Sequence, residues 1–414
     1  MNELKGACVI GQSGGPTAVI NASAAGAIEA ALKSSSITNV YAMEHGIQGM
    51  LADRLFDCGK EDPEQIKLLR TTPASALGSC RYKLKDPKED DTDYKKILEV
   101  FKKHDIRYFF YNGGNDSMDT CNKVSKYMAE SGWECRVIGI PKTIDNDLAG
   151  TDHCPGYGSA AKYISTSVAE ISRDNAVYDM GSIVIVEIMG RNAGWLTAAS
   201  ALGNKYGCGA DLVYIPEIDF DLDAFIAKIQ DMVKTKPSLI IGVSEGVHDK
   251  DGKFISEYGS DLAKQKDVFG HSQMGGLAAT LAGIVKSRTG LKTRGIELSL
   301  LQRCAAHCAS KADVDEAYMA GAAAVEAAVS GVTDKMVGFE RPESGPYVCR
   351  SVLLPLDVVA NAEKKIPRDW MNEEGCMVND KFYDYALPLI NGESSEPYKD
   401  GIPQFAHLKK VFVD

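Results

Sequence analysis

The chain has 414 residues with 44% hydrophobic and 25% charged side chains, which suits two or three globular domains that each bury a core. Its formal net charge of −11 argues against a nucleic-acid partner, because general nucleic-acid binding needs a basic face. No basic segment followed by a long apolar one opens the sequence, and no apolar run is long enough to span a bilayer, so we expect a cytoplasmic protein without a membrane partner.

The first predicted element is a short buried strand at 7–10, followed by a glycine-rich loop at 11–17 and a helix from about 18 to 33. A glycine loop between a strand and a helix leaves backbone N–H groups open, and the helix dipole favours an anion there. The loop contains Gly14 and Gly15 but matches neither the GxGxxG nor the GxxxxGK[ST] motif. A turn that merely packs the helix on the sheet is the alternative.

A second strand, glycine loop and helix follow further along the chain. A polar segment first ends in Arg81, which is either a phosphate contact or an ordinary surface arginine. A strand at 107–111 then leads into the loop 112–117, and a helix is predicted to start near Met118. Glycines in this loop let the backbone approach a ligand closely. Asp116 is either a metal ligand or a helix cap.

The segment 141–147, with the sequence PKTIDND, follows a buried strand at 137–140. An extended chain leaving the sheet would point Thr143, Asp145 and Asp147 to one side, because side chains alternate along a strand. Carboxylates this close raise each other's pKa unless a cation or metal lies between them. The alternative is an Asp/Asn-rich turn whose side chains bond the local backbone.

The second half of the chain continues the alternation of strands and helices. A strand at 183–188 is followed by Arg191 and by Asn192, a predicted N-cap for the helix after it. A helix start preceded by an arginine is typical of an anion site. A strand at 239–243 ends just before Glu245, which is either a ligand of sugar hydroxyls or a loop carboxylate.

This alternation predicts an α/β fold with two doubly wound, Rossmann-like, mainly parallel sheet domains. Ligands of such sheets gather at the carboxyl ends of the strands. The loops at 11–17 and 113–117 and the segment 141–147 all fall at such ends. We therefore expect the active site along this edge, in the cleft between the two domains.

Two loops suited to phosphate, an acid pair and several arginines together suggest phosphoryl transfer onto a hydroxyl group. That reaction needs positioning, charge neutralisation, a metal and a base near the attacking oxygen. Asp145 is the candidate base, and Asp147 and Asp116 are candidate ligands of Mg²⁺. The arginines would hold an anionic acceptor.

The chain resembles the phosphofructokinase family, and specifically its pyrophosphate-dependent branch. The resemblance runs in order over most of the sequence, through Gly14-Gly15, Gly113-Gly114-Asn115-Asp116-Ser117, Pro141–Asp147, Met189-Gly190-Arg191, Ser244-Glu245-Gly246, Arg294 and Gln302-Arg303. It implies a reversible, Mg²⁺-dependent transfer of phosphate from diphosphate to the 1-hydroxyl of fructose 6-phosphate. The products would be fructose 1,6-bisphosphate and phosphate, in glycolysis.

The resemblance also implies roles for individual residues. Catalysis would involve Asp145 as the base for the sugar hydroxyl, together with Lys142, Thr143 and Asp147. The residues that would bind diphosphate are Gly14, Gly15, Arg81, Gly114, Asn115 and Lys142. Those that would bind fructose 6-phosphate are Thr143, Asp145, Met189, Gly190, Arg191, Glu245, Arg294 and Arg303. The metal ligands would be Asp116 and Asp147.

Two positions predict the phosphoryl donor. ATP-using relatives carry glycine where Asp116 and Lys142 stand. A carboxylate at 116 adds bulk and negative charge where the α-phosphate of a nucleotide would lie, and the Lys142 ammonium can neutralise a compact diphosphate. Diphosphate is therefore the predicted donor. The alternatives are an ATP-dependent 6-phosphofructokinase and a non-catalytic, regulatory phosphosugar-binding subunit.

The sequence departs from the family pattern at three positions. Asn115 stands where ATP-using relatives have a metal-binding aspartate. Leu300 stands where many relatives have a histidine near the 6-phosphate, and Ser182 where some present an arginine to an adjacent active site. These departures affect the sugar-phosphate end and leave the chemistry at Asp145 untouched.

The donor domain is predicted at residues 1–154 plus about 301–354, and the fructose 6-phosphate domain at 155–300 plus about 355–414. The position of Arg294 matches a family residue that reaches the active site of a neighbouring subunit. We therefore expect a homodimer or homotetramer whose active sites are shared between subunits.

Overall fold

A computed structural model describes residues 4–177, 179–258, 276–343, 345–360 and 362–413. The chain divides into two compact units. The first contains the described residues of Met1–Ser159, Arg303–Lys364 and Gly392–Asp414, and the second those of Ala160–Gln302 and Lys365–Asn391. The predicted second domain continued from 355 to the end of the chain. In the structure, the described residues of 155–159, 355–364 and 392–413 group with the first unit instead.

Among the described residues the strands are, in chain order, β1 (Gly6–Gln12), β2 (Ile37–Met43), β3 (Leu55–Asp57), β4 (Ile106–Gly113), β5 (Arg136–Pro141), β6 (Ile183–Ile188), β7 (Leu212–Tyr214), β8 (Leu239–Ser244), β9 (Thr293–Glu297), β10 (Lys335–Glu340), β11 (Arg350–Pro355), β12 (Tyr398–Lys399) and β13 (Ile402–Pro403).

The α-helices of the same residues are α1 (Ile20–Lys33), α2 (Ile47–Leu51), α3 (Pro63–Leu68), α4 (Thr92–Lys103), α5 (Asn115–Glu130), α6 (Tyr157–Asn175), α7 (Trp195–Ala199), α8 (Leu222–Met232), α9 (Leu277–Thr289), α10 (Leu301–Cys304), α11 (Lys311–Val329), α12 (Leu356–Val359) and α13 (Asp380–Ala386). None of these described helices is both long and apolar enough to cross a membrane.

The first unit is built on a seven-stranded sheet with the order β11-β10-β5-β4-β1-β2-β3. The five inner strands run parallel to one another, and the two edge strands, β3 and β11, are antiparallel to their neighbours. Every residue of β1 is buried, which explains why this central strand reads as a continuous apolar run.

The core of the first unit lies on both faces of this sheet. Along β1, Ala7 and Val9 belong to the cluster formed with α4 and α5, whereas Cys8 and Ile10 belong to the cluster formed with α1 and α11. The helices α1 and α11 approach closely at Gly26, where a Cβ would lie 2.1 Å from the carbonyl oxygen of Tyr318. The alanine-rich sequence of α1 therefore serves close helix packing.

The second unit has a four-stranded sheet with the order β7-β8-β6-β9, in which all neighbours are parallel. Its core contains Ile185 of β6, Phe225 of α8 and Leu281 of α9. The predicted α/β fold with two mainly parallel sheets is thus confirmed.

Residues 406–413, here called the C-terminal strap, cover the β3 edge of the first sheet. Asp57 N–H donates to the carbonyl oxygen of Val411, and Val413 N–H donates to that of Leu55, each at 3.0 Å. The strap therefore pairs with an edge strand whose polar backbone would otherwise be open. It was not predicted as an element.

Candidate active site

The loops that follow β1, β4 and β5 lie side by side at the carboxyl ends of these strands. Ser13 N–H donates to the carbonyl oxygen of Asn112 at 2.9 Å, and Lys142 N–H donates to that of Gly113 at 3.0 Å. Backbone hydrogen bonds thus join the three segments that the sequence places at this sheet edge. The convergence follows from parallel strands that end at the same side of one sheet.

Lys142 is the buried cation of this region, with 5% of its surface exposed. Its Nζ donates a hydrogen bond to the carbonyl oxygen of Gly15 at 2.8 Å. Burial lowers the pKa of the Lys142 ammonium to about 8, while the carboxylates of Asp145 and Asp147 favour its charged form. The lysine therefore links the first glycine loop, at 11–17, to residues 141–147, which we call the acid segment.

Two arginines of the first unit act on the same group, Arg81 from an exposed position and Arg303 from a partly buried one. Burial and the Arg81 guanidinium both lower the pKa of Arg303. A Cβ on Gly14 would lie 3.3 Å from Lys142 Nζ, and one on Gly15 would lie 3.3 Å from Nη1 of Arg303. The two glycines thus leave space beside a concentration of positive charge.

We call Arg81, Lys142, Asp145, Asp147 and Arg303 the lysine cluster. It contains three cations and two carboxylates, and the carboxylates lie in the segment after β5. Cations that attract phosphate and a carboxylate that accepts a proton are the groups that phosphoryl transfer to a hydroxyl requires.

Asp147 is a partly buried carboxyl group with an unusual environment. Burial raises its pKa well above the usual range, and the neighbouring carboxylate of Asp145 raises it further. Asn115 Nδ2 donates to Oδ2 of Asp147 at 3.4 Å. Within the described part of the chain, Oδ1 of Asn115 is buried and accepts no hydrogen bond. An unsatisfied acceptor therefore lies close to the carboxylate.

The acid segment is not extended throughout, so this prediction was wrong, and the alternative of an Asp/Asn-rich turn describes it better. Asn146 has a φ of 56°, in the left-handed region, and Asp145 N–H bonds back to Oγ1 of Thr143 at 3.1 Å. Asparagine tolerates this conformation better than most residues, and its Oδ1 accepts from Cys154 N–H at 2.9 Å. Thr143, Asp145 and Asp147 are nevertheless the partly exposed positions, between buried Ile144 and Asn146.

Asp116 lies outside the lysine cluster as the structure describes it. The helix predicted near Met118 begins at Asn115, with Gly114 as its N-cap, so Asp116 occupies the first turn rather than the cap. Its carboxylate is exposed and lies 3.7 Å from Nζ of Lys83. The interpretation of Asp116 as the helix cap was therefore wrong, and its role as a metal ligand stays a prediction.

In the second unit, hydrogen bonds join the loops that follow β6 and β8. Glu245 N–H donates to the carbonyl oxygen of Ile188 at 2.9 Å, and Gly190 N–H donates to Oε1 of Glu245 at 3.4 Å. Met189 N–H is bound by Oε1 of Gln302 at 3.2 Å. Burial raises the pKa of Glu245, whereas the Gly190 N–H stabilises its charged form.

The backbone of Gly246 lies against that of Arg191, so Arg191 is close to Glu245 and Gly190. A Cβ at position 246 would lie 1.9 Å from the carbonyl oxygen of Arg191, so the backbones touch there. The structure thus brings the motif Met189-Gly190-Arg191 together with Glu245, which follows a different strand.

The helix predicted to follow Asn192 begins later, so the N-cap prediction was wrong. Helix α7 starts at Trp195 with Gly194 as its N-cap. A carboxylate oxygen of Glu217 accepts from Gly194 N–H at 2.9 Å and from Ile366 N–H at 3.0 Å. Because a carboxylate already occupies this helix start, the anion site predicted there is not available.

Arg294 is not gathered with the other residues of the second unit. It lies on β9, the edge strand, where it is exposed and stands opposite Val184 near the start of β6. The residues at 189–191 follow the other end of β6. Within its own unit, Arg294 is therefore remote from the loop at Gly190.

Sequence reasoning missed two residues that organise the acid segment. Asn146 adopts the left-handed conformation, and an asparagine between two aspartates is a local signal that could have indicated it. Lys364 donates its backbone N–H to the carbonyl oxygen of Asp147 at 2.7 Å. Their separation of more than 200 residues leaves no local signal for this contact.

Comparison with known proteins finds relatives that match almost the whole length of the chain. A family model described as phosphofructokinase matches residues 7–297. A pyrophosphate–fructose 6-phosphate 1-phosphotransferase of Halomonas elongata is 47% identical over 407 residues, covering 97% of this chain and 96% of the relative. The enzyme of the same name from Methylococcus capsulatus is 43% identical over 408 residues, covering 97% and 96%.

Solved structures agree with these relatives. The crystal structure of a pyrophosphate-dependent phosphofructokinase from Nitrosospira multiformis superposes with a TM-score of 0.89 at 44% identity. The match covers 98% of this chain and 97% of that one.

Proposed function

This chain belongs to the phosphofructokinase family, and we propose that it is an enzyme that transfers phosphate reversibly from diphosphate to the 1-hydroxyl of fructose 6-phosphate. The observation that carries this proposal is Lys142, a buried ammonium that bonds Gly15 and interacts with both carboxylates of the acid segment. Its positive charge would stabilise a diphosphate group beside it, and no nucleotide is needed for that contact. The high identity to relatives named as pyrophosphate-dependent supports the same donor.

Asp145 is the proposed base. Its carboxylate would take the proton of the 1-hydroxyl while that oxygen attacks the terminal phosphorus of diphosphate. A new bond forms between the sugar oxygen and phosphorus, and the bond to the bridging oxygen of diphosphate breaks. The leaving group is inorganic phosphate. Lys142 and Arg81 are the cations proposed to stabilise the charge on these phosphates.

Mg²⁺ is the proposed cofactor, and the oxygen atoms of this region suit it. Oδ1 of Asn115 is a buried acceptor without a donor in the described chain, and its amide contacts Asp147. Asp147, Asn115 and Asp116 would therefore be the residues that hold the ion. When bound, the ion would neutralise negative charge on the phosphates.

Fructose 6-phosphate is the proposed acceptor, bound by the group at Gly190 in the second unit. The Glu245 carboxylate would accept hydrogen bonds from sugar hydroxyls, and Arg191 would contribute positive charge. Arg303 is proposed to bind the 6-phosphate. We propose that the active site lies between the predicted donor and acceptor domains. We also propose a homodimer or homotetramer in which Arg294 serves the active site of a neighbouring subunit.

A donor assay tests this function. The purified chain is given fructose 6-phosphate and Mg²⁺ with either diphosphate or ATP, and formation of fructose 1,6-bisphosphate is followed. We expect turnover with diphosphate and far less with ATP. Equal or better turnover with ATP would reject the donor, and no turnover with either would favour a regulatory subunit.

The Asp145→Asn variant is the matched control for chemistry, because it keeps the shape of the side chain and removes the base. Its turnover should fall by about 10²–10⁴-fold while binding of fructose 6-phosphate persists. Unchanged turnover would remove Asp145 from its assigned role.

A further inference from the structure

Lys364 contacts the acid segment from a distant part of the first unit. Its backbone N–H donates to the carbonyl oxygen of Asp147 at 2.7 Å, and Glu363 forms an antiparallel bridge with Leu148. The chain at 363–364 thus lies along the end of the acid segment like a short added strand. This arrangement places the Lys364 side chain next to Asn146.

The Lys364 ammonium also donates to described residues of the first unit. Nζ donates to the carbonyl oxygen of Asp152 at 2.6 Å, to that of Thr151 at 3.3 Å and to Oδ1 of Asn146 at 3.5 Å. One partly buried side chain therefore joins the acid segment to the loop at 151–152. The bond to Asp152 is short and charge-assisted, whereas the bond to Asn146 Oδ1 is the longest of these contacts.

Asn146 needs such contacts because its backbone has a φ of 56°. A residue other than glycine is held in this region when the surrounding contacts over-determine it. Two donors converge on its Oδ1, the N–H of Cys154 and Nζ of Lys364. If Asn146 relaxed to an ordinary negative φ, the carboxylates on either side of it would turn away from each other.

We propose that Lys364 is a positioning residue that holds Asn146 in its left-handed conformation and thereby fixes Asp145 and Asp147 relative to each other. The inference rests on the proposed function for its consequence in catalysis, and on geometry alone for its consequence in structure. In this proposal Lys364 acts through Asn146, to which its Nζ donates.

The test compares Lys364→Met, which keeps an unbranched apolar stem and removes the ammonium, with Lys364→Arg, which keeps the charge. Lys365→Met is the matched control, because Lys365 is the adjacent exposed lysine. The first measurement is hydrogen exchange of peptides covering 143–155, which needs no substrate. We expect about tenfold faster exchange in Lys364→Met, since a charged hydrogen-bond donor is lost, and none in the control.

The second measurement is steady-state kinetics with diphosphate and fructose 6-phosphate. Misplaced carboxylates should lower kcat of Lys364→Met by about 10²-fold and leave both KM values nearly unchanged. Lys364→Arg should recover most of the loss. In a chain that already carries Asn146→Gly, the Lys364→Met substitution should lower kcat by less than it does alone, because both substitutions act on one contact.

These outcomes separate the inference from the proposed function. If the unmodified chain does not use diphosphate, the function fails, and the exchange experiment still decides the role of Lys364. Unchanged exchange at 143–155 in Lys364→Met would overturn the inference. So would independent, multiplying effects of the two substitutions, or a loss of kcat explained entirely by a lower melting temperature.

Discussion

Nζ of Lys142 lies 2.8 Å from the carbonyl oxygen of Gly15, so a buried ammonium fastens the loop after β1 to the segment after β5. The guanidinium groups of Arg81 and Arg303 act on the same ammonium and contribute to the lowering of its pKa. This relationship makes the lysine both a structural link and the first candidate for recognition of diphosphate.

Replacing Lys142 by methionine should therefore impair use of diphosphate. We expect kcat/KM for diphosphate to fall by about 10²–10³-fold, because a preorganised cation at the transferred phosphate is lost. Lys95→Met is the control, since Lys95 is exposed and pairs with Asp91 on α4. Retention of diphosphate use by Lys142→Met would remove the assigned role.

The donor prediction can be tested further by replacing Asp116 and Lys142 together with glycine. Removing the carboxylate and the ammonium frees the space that they are predicted to deny to a nucleotide, so ATP turnover should rise relative to diphosphate turnover. The ratio of kcat/KM values for the two donors is the measurement. A ratio equal to that of the unmodified enzyme would contradict this explanation of donor choice.

Gly246→Ala should disturb the acceptor loop. The added Cβ would lie 1.9 Å from the carbonyl oxygen of Arg191, so the loop has to move. We expect KM for fructose 6-phosphate to rise about tenfold or more, with KM for diphosphate little changed, since about 1–3 kcal/mol of overpacking is imposed on one substrate's site.

Gly283→Ala is the matched control for that substitution. Gly283 lies inside α9, where a Cβ meets no atom of the described chain within 4 Å, so the change should be neutral or slightly stabilising. Equal effects of the two substitutions on fructose 6-phosphate would argue against a specific role for the Gly246 contact.

His153 should make stability depend on pH. Its Nδ1 lies 2.8 Å from Oδ1 of Asp152 and its Nε2 lies 2.7 Å from Oε2 of Glu316. Burial by itself would lower the pKa of His153, but these two carboxylates outweigh it and raise the pKa above the ordinary value. The stabilisation is complete below pH about 6.5 and is lost as pH rises through the higher folded-state pKa.

Other groups around His153 share this environment. Arg341 bonds the Asp152 carboxylate, the Tyr347 hydroxyl donates to Glu316, and the thiol of Cys349 lies close to the same carboxylate. The His153→Gln variant isolates the histidine. It should lose about 3–5 kcal/mol at pH 6 and less at pH 9, as followed by thermal melting. An equal loss at both pH values would contradict a protonated His153.

The C-terminal strap is held by Glu61. This buried carboxylate accepts hydrogen bonds from the backbone N–H groups of Lys409 and Lys410, each at 2.7 Å. Glu61→Ala should destabilise the first unit by about 1–3 kcal/mol, because two N–H groups lose their acceptor. Faster proteolysis within 406–413 is the measurement. Glu64→Ala, at an exposed position of α3, should leave the strap as resistant as before.

Much of the fold could be predicted because the inner strands are continuous apolar runs followed by glycine loops. The strand at 183–188 was predicted with the bounds that β6 has in the structure. At Asn146 the sequence left an extended segment and a turn both open, because the alternation of buried and partly exposed side chains imitates an extended strand there. Local periodicity cannot distinguish an extended strand from such a turn when side-chain exposure alternates in both.

The remaining misses depend on long-range contacts. Asn192 resembles an N-cap, but the helix start is fixed at Gly194 by the carboxylate of Glu217. The strap at 406–413 pairs with residues near 55–61, more than 340 positions away, and its own sequence has no strand pattern. Contacts of this kind leave no trace in a window of neighbouring residues.

The position of the C-terminal strap has a consequence for biosynthesis. The first sheet receives β10 and β11 and finally the strap long after β1 to β5 have been synthesised. Translation therefore leaves the β3 edge uncovered until residue 413 has emerged from the ribosome, whereas the second sheet has all its strands by residue 297. Nascent chains stalled anywhere between should contain a complete smaller sheet and an incomplete larger one, and should depend on chaperones for that interval.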